Sequence, residues 1–515
     1  MTVKRLNRRA FLKYAGGTTA GVAALWVGRN LPSSLEAQPA LAATQTLHLR
    51  VTDARKDMVT HNEENAAQQY FWVYQVVDPA DIPTDAPGPS LFALEGDEVS
   101  LTLENALDEP HNFAIPAAGI ESPTVAPGEQ VQFSFAVPAA GSYLYHDRLN
   151  APVNRMMGLH GALVVMPEPA NGTPYAAADV AANPRLAQLF ADLGAAEHFP
   201  GLAWDEGAAN PGGFPDTAAF RQYIWVLHEA SPVLFAEVGN APPGTEFDAA
   251  TFVDRFLNDP LVVNAQANTP PEQNRTPQYF TIDGQSGHFG HGSPFITPTL
   301  RVGEPCLIRV LNAGLWVHSL HIHANHVYPL AVNNEFSFQE DIAPGQTDNH
   351  LWIDTFTALP LDTWDWLVPY IRPPDVPNAR GIGRADAPLA SNAPPVDFGD
   401  GPDGMTPPAQ NTWPPIQEVH MAIPKIGTEI GGLPAHVALS PACYPMHDHS
   451  EPTQTSQGGN YNLGMIAGLD FSGDRNVDPA GVVTFPHAPT VFGPNATVAA
   501  AGPEPPFPVI DEGSV

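Results

Sequence analysis

Only two cysteines, Cys306 and Cys443, stand in 515 residues. That excludes a disulfide scaffold and any four-cysteine metal site. The two either join in a single bridge outside a reducing compartment or stay as separate buried thiols, and their spacing does not decide between these. Basic residues are scarce as well: 22 Lys+Arg stand against 55 Asp+Glu, a formal net charge of −33. The electrostatic footprint for phosphates is missing, which rules out nucleic acid as a partner. Charged residues make up only 15% and apolar ones 43%, so the chain is neither a disordered tail nor a coiled coil. Past the N-terminal stretch no run is long and apolar enough to span a bilayer. What is abundant is punctuation. The 57 prolines and 43 glycines exclude a mostly helical protein and favour short strands joined by many turns.

The front of the chain reads as an address. Asn7-Arg8-Arg9-Ala10-Phe11-Leu12-Lys13 resembles a twin-arginine export signal, an apolar stretch runs from Ala15 to Val27, and Ala40-Leu41-Ala42 offers a small-residue cleavage site. Residues 1–42 are therefore expected to be removed, leaving a periplasmic or extracellular protein with no membrane span. That route carries folded proteins, so a metal loaded in the cytoplasm is compatible with it.

Strand signals then come in two copies. Val99, Leu101 and Leu103 alternate with polar residues, as do Val131, Phe133 and Phe135 after the turn at Ala126-Pro127-Gly128. Cys306–Val310, Asn312-Ala313-Gly314 and Ala343-Pro344-Gly345 repeat that order. His447-Asp448-His449 echoes His146-Asp147, and Gly464–Leu469 echoes Gly158–Leu163. A repeat this long means duplicated domains. The expected architecture is all-β: two Greek-key β-sandwiches, at 43–168 and 216–475, with a linker at 169–215 and a tail at 476–515. Pro184–Leu193 and Phe247–Leu257 read as short helices, Tyr223–Leu227 and Tyr279–Ile282 as strands, and Pro373–Pro415 as a long surface loop.

Histidine placement carries the chemistry. His318-Ser319-Leu320-His321-Ile322-His323 with His326 packs four histidines into nine residues. On a strand His321 and His323 share a face, and so do His447 and His449. Two such pairs on neighbouring strands can converge on metal through imidazole nitrogens, which suits copper or zinc. Asp448, by the same alternation, points the other way, toward His318. His288 and His291 read as a loop pair, and His160 as structural.

These motifs resemble the multicopper oxidases, most of all their two-domain laccase-like members, over nearly all of residues 46–475. His318–His323 is similar to that family's H-P-x-H-x-H motif, and Tyr444–His449 occupies the place of its H-C-H segment. His146-Asp147-Arg148 resembles the first-domain H-S-H motif, and His111-Asn112-Phe113 stands where H-x-H-G is found. The resemblance implies tandem cupredoxin-like domains, copper as cofactor, O2 and a small reductant as partners, and oxidation of a phenolic or metal-ion substrate. It carries six cluster ligands over to this chain: His111, His146, His321, His323, His447 and His449, with Phe113 and Arg148 at two missing positions. His318 and Asp448 are weaker candidates, because Asp448 replaces the thiolate that a blue copper site requires. The two-domain relatives form trimers that share the site between subunits, which implies a homotrimer; the alternative is a monomer with an intramolecular site, its surface covered by the insertions near Pro373–Pro415 and Phe247–Leu257. A non-catalytic scaffold or a copper buffer is the alternative.

Overall fold

The structure is a computed structural model. It describes residues 44–58, 67–78, 88–167, 174–184, 186–187, 221–259, 279–291, 296–300, 306–336, 353–368, 429–430, 433–434, 442–450, 464–471, 476–477 and 483–484, together with 293 and 453. The signal at 1–42, the loop at Pro373–Pro415, the turn at Ala343–Gly345 and most of the Pro184–Leu193 helix lie outside the described residues.

The first sandwich contains β1 (Thr44–Met58), β2 (Ala67–Asp78), β3 (Leu91–Leu94), β4 (Glu98–Asn105) and β5 (Ala114–Ile115). It continues with β6 (Ile120–Glu121), β7 (Gln130–Ala136), β8 (Gly141–His146) and β9 (His160–Met166). Two sheets result, in the orders β2-β1-β4-β7 and β3-β9-β8-β5-β6. Leu49, Val51, Leu101 and Leu103 of one sheet and Leu91, Tyr145, Leu163 and Val165 of the other share one buried core. The alternation along β4 explains this, since every second residue turns inward.

The second sandwich begins with β10 (Arg221–Ala230), β11 (Tyr279–Ile282), β12 (Thr299–Leu300), β13 (Cys306–Asn312) and β14 (His318–Ile322). Then come β15 (Tyr328–Val332), β16 (Glu335–Phe336), β17 (Thr355–Ala358) and β18 (Thr363–Val368). After a small hairpin, β19 (Glu429–Ile430) with β20 (Leu433–Pro434), it closes with β21 (Ala442–Asp448) and β22 (Ile466–Phe471). A last hairpin joins β23 (Asn476–Val477) to β24 (Val483–Thr484). Its sheets run β11-β10-β13-β18-β15-β16 and β12-β22-β21-β14-β17. They repeat the order of the first pair, with β15 and β16 added at one edge of the six-stranded sheet. Even the parallel pairings β1·β4 and β3·β9 recur as β10·β13 and β12·β22.

The register makes the duplication residue-specific. Ala114 pairs with His146 in the first sandwich and His321 with His447 in the second, so His111 corresponds to His318 and Asp147 to Asp448. Asn105 and Asn312 confirm the frame. Each donates its side-chain amide to two backbone carbonyls and accepts the backbone N–H two residues on.

The sandwiches pack directly on each other. Leu144 and Ala162 on the outer face of β8 and β9 meet Val226 and Leu311 of β10 and β13. Covered on both faces, β8 is buried at all six positions. Polar bonds fix the seam: Arg309 donates to Asp365 Oδ2 at 2.9 Å and to Ser142 Oγ at 3.0 Å, and Tyr175 donates to Asp365 at 2.7 Å.

Short helices decorate this frame: α1 (Val153–Met156), α2 (Ala177–Ala182), α3 (Pro232–Asn240), α4 (Ala249–Asn258) and α5 (His288–His291). α3 starts on a Ser231 cap with Pro232 behind it, and α4 on an Asp248 cap at 2.8 Å from Thr251 N. The helix expected at Phe247–Leu257 is thus present. Although it follows β10, its Phe252 and Phe256, like Phe235 of α3, are buried in the core of the first sandwich. Among the described residues no helix is long and apolar enough to cross a membrane.

Candidate metal centre

Four histidines meet on the outer face of the second sandwich. β14 and β21 are antiparallel neighbours with His321 opposite His447, and the two-residue period brings His323 and His449 to the same side. Nitrogen atoms of His321, His323 and His447 lie within 4.8 Å of one another. His323 Nε2 and His447 Nε2 oppose each other at 2.8 Å. The His449 ring centre is 4.9 Å from that of His321 and 5.4 Å from that of His447.

The surroundings set the tautomers. His447 Nδ1 donates to the Asp448 carbonyl at 2.9 Å, and His321 Nδ1 reaches the Asp354 carbonyl at 3.1 Å and Thr355 Oγ1 at 3.0 Å. With Nδ1 occupied, each presents its Nε2 lone pair to the group, the arrangement that ligating imidazoles require. Burial, and the neighbouring imidazoles, lower the pKa values of His321 and His323, so these rings stay neutral near pH 7. His323 and His449 are exposed, leaving an open side. An all-imidazole donor set of this spacing fits copper.

His318 and Asp448 are not part of that set. Asp448 lies on the inner side of β21, as strand alternation predicts, and its carboxylate accepts from His318 Nδ1 at 2.6 Å. His318 Nε2 donates at 2.7 Å to Glu229, which the sequence did not mark. All three side chains are wholly buried. Burial opposes a charge on His318, but the hydrogen bonds and charges of Asp448 and Glu229 override it and raise its pKa to about 9. Both ring nitrogens are then donors, and the three side chains form a buried ion triad.

The first-sandwich candidates separate. His111 Nδ1 donates to Asp147 Oδ2 at 2.7 Å, both groups fully buried, with Asn154 and Trp72 alongside. Its partners all belong to the first sandwich, and it corresponds to His318, not to a member of the four-histidine set. Phe113 is no substitute ligand. It stacks on Tyr145 at 5.1 Å in the core, and the register places Ala114 and Pro116 opposite the positions of His321 and His323. Arg148, the counterpart of His449, pairs with Glu121 at 2.9 Å. His146 keeps its Nε2 available, its Nδ1 being bonded to the Asp147 carbonyl, and burial pushes its pKa down to about 4. It faces the seam beside Arg155, where His160 and His228 also sit, their ring centres 4.5 Å apart. Cys306 and Cys443 are separate thiols, and Cys443 Sγ lies 3.5 Å from His291 Nε2.

Residues 80–170 match the family model described as multicopper oxidase. The chain is multicopper-oxidase-like. Among curated relatives, the copper-containing nitrite reductase of Alcaligenes xylosoxydans xylosoxydans is 30% identical over 139 residues, 25% of this chain and 39% of that protein. The copper-containing nitrite reductase of Pseudomonas chlororaphis is 36% identical over 90 residues, 16% of this chain and 25% of that protein. The chain thus spans about two fifths or less of the length of these relatives. Among solved structures, the blue copper oxidase of Nitrosomonas europaea has a TM-score of 0.45 at 14% identity, covering 83% of this chain and 86% of that one. The family model and the copper-containing relatives imply copper as the cofactor.

Proposed function

We propose that the protein is an exported copper-binding oxidoreductase whose metal sits on His321, His323, His447 and His449. The observation that carries this reading is the convergence of these imidazoles, with the Nδ1 atoms of His321 and His447 already hydrogen-bonded. Copper at this position would supply one-electron chemistry, with O2 as acceptor and a phenol or a metal ion as reductant. The chain's own part is to hold imidazoles in the ligating tautomer on a rigid two-strand platform open to small molecules on its His323 and His449 side. The N-terminal twin-arginine pattern supports export.

Assembly follows from the duplication. Ser142 and Leu144 on β8 are covered within the chain by β13 and β10, and His146 on the same face is buried. Their counterparts on β21 are Cys443, Pro445 and His447, and no second sandwich of the same chain covers them among the described residues. A head-to-tail contact with β1 and β4 of another copy would repeat the internal seam, and closure of such contacts gives a ring, here a trimer. The buried His111–Asp147 and His318–Asp448 pairs, with a carboxylate and no thiolate beside the histidine, favour a second reading, copper buffering without turnover. Elemental analysis and electron paramagnetic resonance of protein purified without added metal test the first reading. A metal-free protein that takes up no copper would refute it. Light scattering tests the ring, which a single-chain mass with bound copper would exclude.

A further inference from the structure

The two carboxylates that follow the strand-end histidines make matching bonds in both sandwiches. Asp147 accepts His111 Nδ1 at 2.7 Å, the backbone N–H of Asn112 at 3.3 Å and that of Leu149 at 2.7 Å. Asp448 accepts His318 Nδ1 at 2.6 Å, the N–H of Ser319 at 2.9 Å and that of Ser450 at 3.2 Å. Asn112 corresponds to Ser319 and Leu149 to Ser450 in the paired frame. The carbonyls of both aspartates accept the Nδ1 of the preceding histidine at 2.9 Å, and their N–H groups bond to Leu159 and Met465, again equivalent residues.

A bond set that recurs at equivalent positions of two diverged halves is not an accident of one loop. Each carboxylate ties three pieces of chain together: the pocket histidine, the residue after it, and the turn beyond the strand end. In the second sandwich that strand end and turn carry His447 and His449, and the tethered segment leads into His321. We infer that Asp448 is a positioning residue for the copper-binding histidines, and that Asp147 is its silent counterpart, holding the same turn where only His146 remains. The metal readout of this inference rests on the copper reading above. The carboxylate fixes the strand end through hydrogen bonds that an uncharged apolar residue cannot accept.

The test compares Asp448→Ala, Asp448→Asn and Asp147→Ala in the full chain. Copper(II) affinity is measured by competition with a chromophoric chelator, and backbone amide exchange is followed by mass spectrometry. Asp448→Ala is expected to weaken copper binding about 10- to 100-fold and to speed exchange in the segments holding Ser319 and Ser450. Asp448→Asn keeps the Oδ1 acceptor that both amides use, and should recover most of the affinity. Asp147→Ala should speed exchange at Asn112 and Leu149 while leaving copper affinity unchanged. Its folding cost is of the same kind, so it separates positioning from general destabilisation. Unchanged affinity in Asp448→Ala, or an equal loss in Asp147→Ala, would overturn the inference. Should Asp448→Ala fail to fold, Asp448→Asn against Asp147→Ala decides. If the wild type binds no copper, the functional reading fails by itself, and slow exchange at Ser319 and Ser450 in Asp448→Ala would sink the positioning role separately.

Discussion

Glu229→Gln perturbs the ion triad while changing little else. The Glu229 carboxylate is wholly buried, accepts His318 Nε2 at 2.7 Å and also accepts the backbone N–H of Leu315 at 2.8 Å. Glutamine keeps an acceptor for Leu315 but removes one of the two charges that hold His318 protonated. In the wild type the imidazole rises from its ordinary 6.5 to about 9. A shift of that size corresponds to roughly 3 kcal/mol of folding stability. Because the folded value is raised, the contribution is complete below about pH 6.5 and is lost as the pH climbs toward 9. Glu229→Gln is therefore expected to cost up to about 3 kcal/mol at pH 6 and much less at pH 9. Urea unfolding of full-length protein, followed by tryptophan fluorescence at pH 6, 7.5 and 9, measures this. A wild-type stability that is flat between pH 6.5 and 9, or a Glu229→Gln deficit as large at pH 9 as at pH 6, would refute the charged triad.

The seam between sandwiches should show the opposite dependence. Burial lowers His146 to about 4 and His160 to about 3, so both are held neutral, and their contribution is present above pH 6.5 and lost as the pH falls toward 4; scanning calorimetry between pH 7 and 4 should register a falling midpoint, and a constant one would contradict it. His321→Ala and His447→Ala should each lower copper stoichiometry, while His291→Ala leaves it unchanged, as read by elemental analysis. The copper-loaded protein should show no intense blue absorption, because no thiolate stands beside a ligating histidine. Gly314→Ala should destabilise by about 1–3 kcal/mol, since a methyl there collides with the Glu229 carboxylate; an unchanged urea midpoint would mean that the 312–318 loop is free to move.

Much of the fold was legible because it is local. Strand alternation in β4, the turns between strands and the repeated Asn-Ala step before each pocket histidine are all written in short range, and a duplication prints each of them twice. The same period-two rule put His321 with His323, His447 with His449, and Asp448 on the opposite face. What the sequence could not rank was distance along the chain against distance in space. His111 looks like a partner of His146, yet the pairing of Ala114 with His146 makes it the equivalent of His318 and buries it against Asp147. Phe113 stands beside a histidine motif but belongs to the aromatic core. Glu229 sits at the end of an apolar strand with no local sign of function, and only the crossing of β10 beneath the 312–318 loop brings it to His318. Likewise α3 and α4 follow a strand of the second sandwich and bury their aromatic residues in the first. Pattern along a chain records which face a side chain takes, because that depends on the backbone period alone. Which face it meets depends on how two sheets stack, and that is decided by burial summed over the whole molecule.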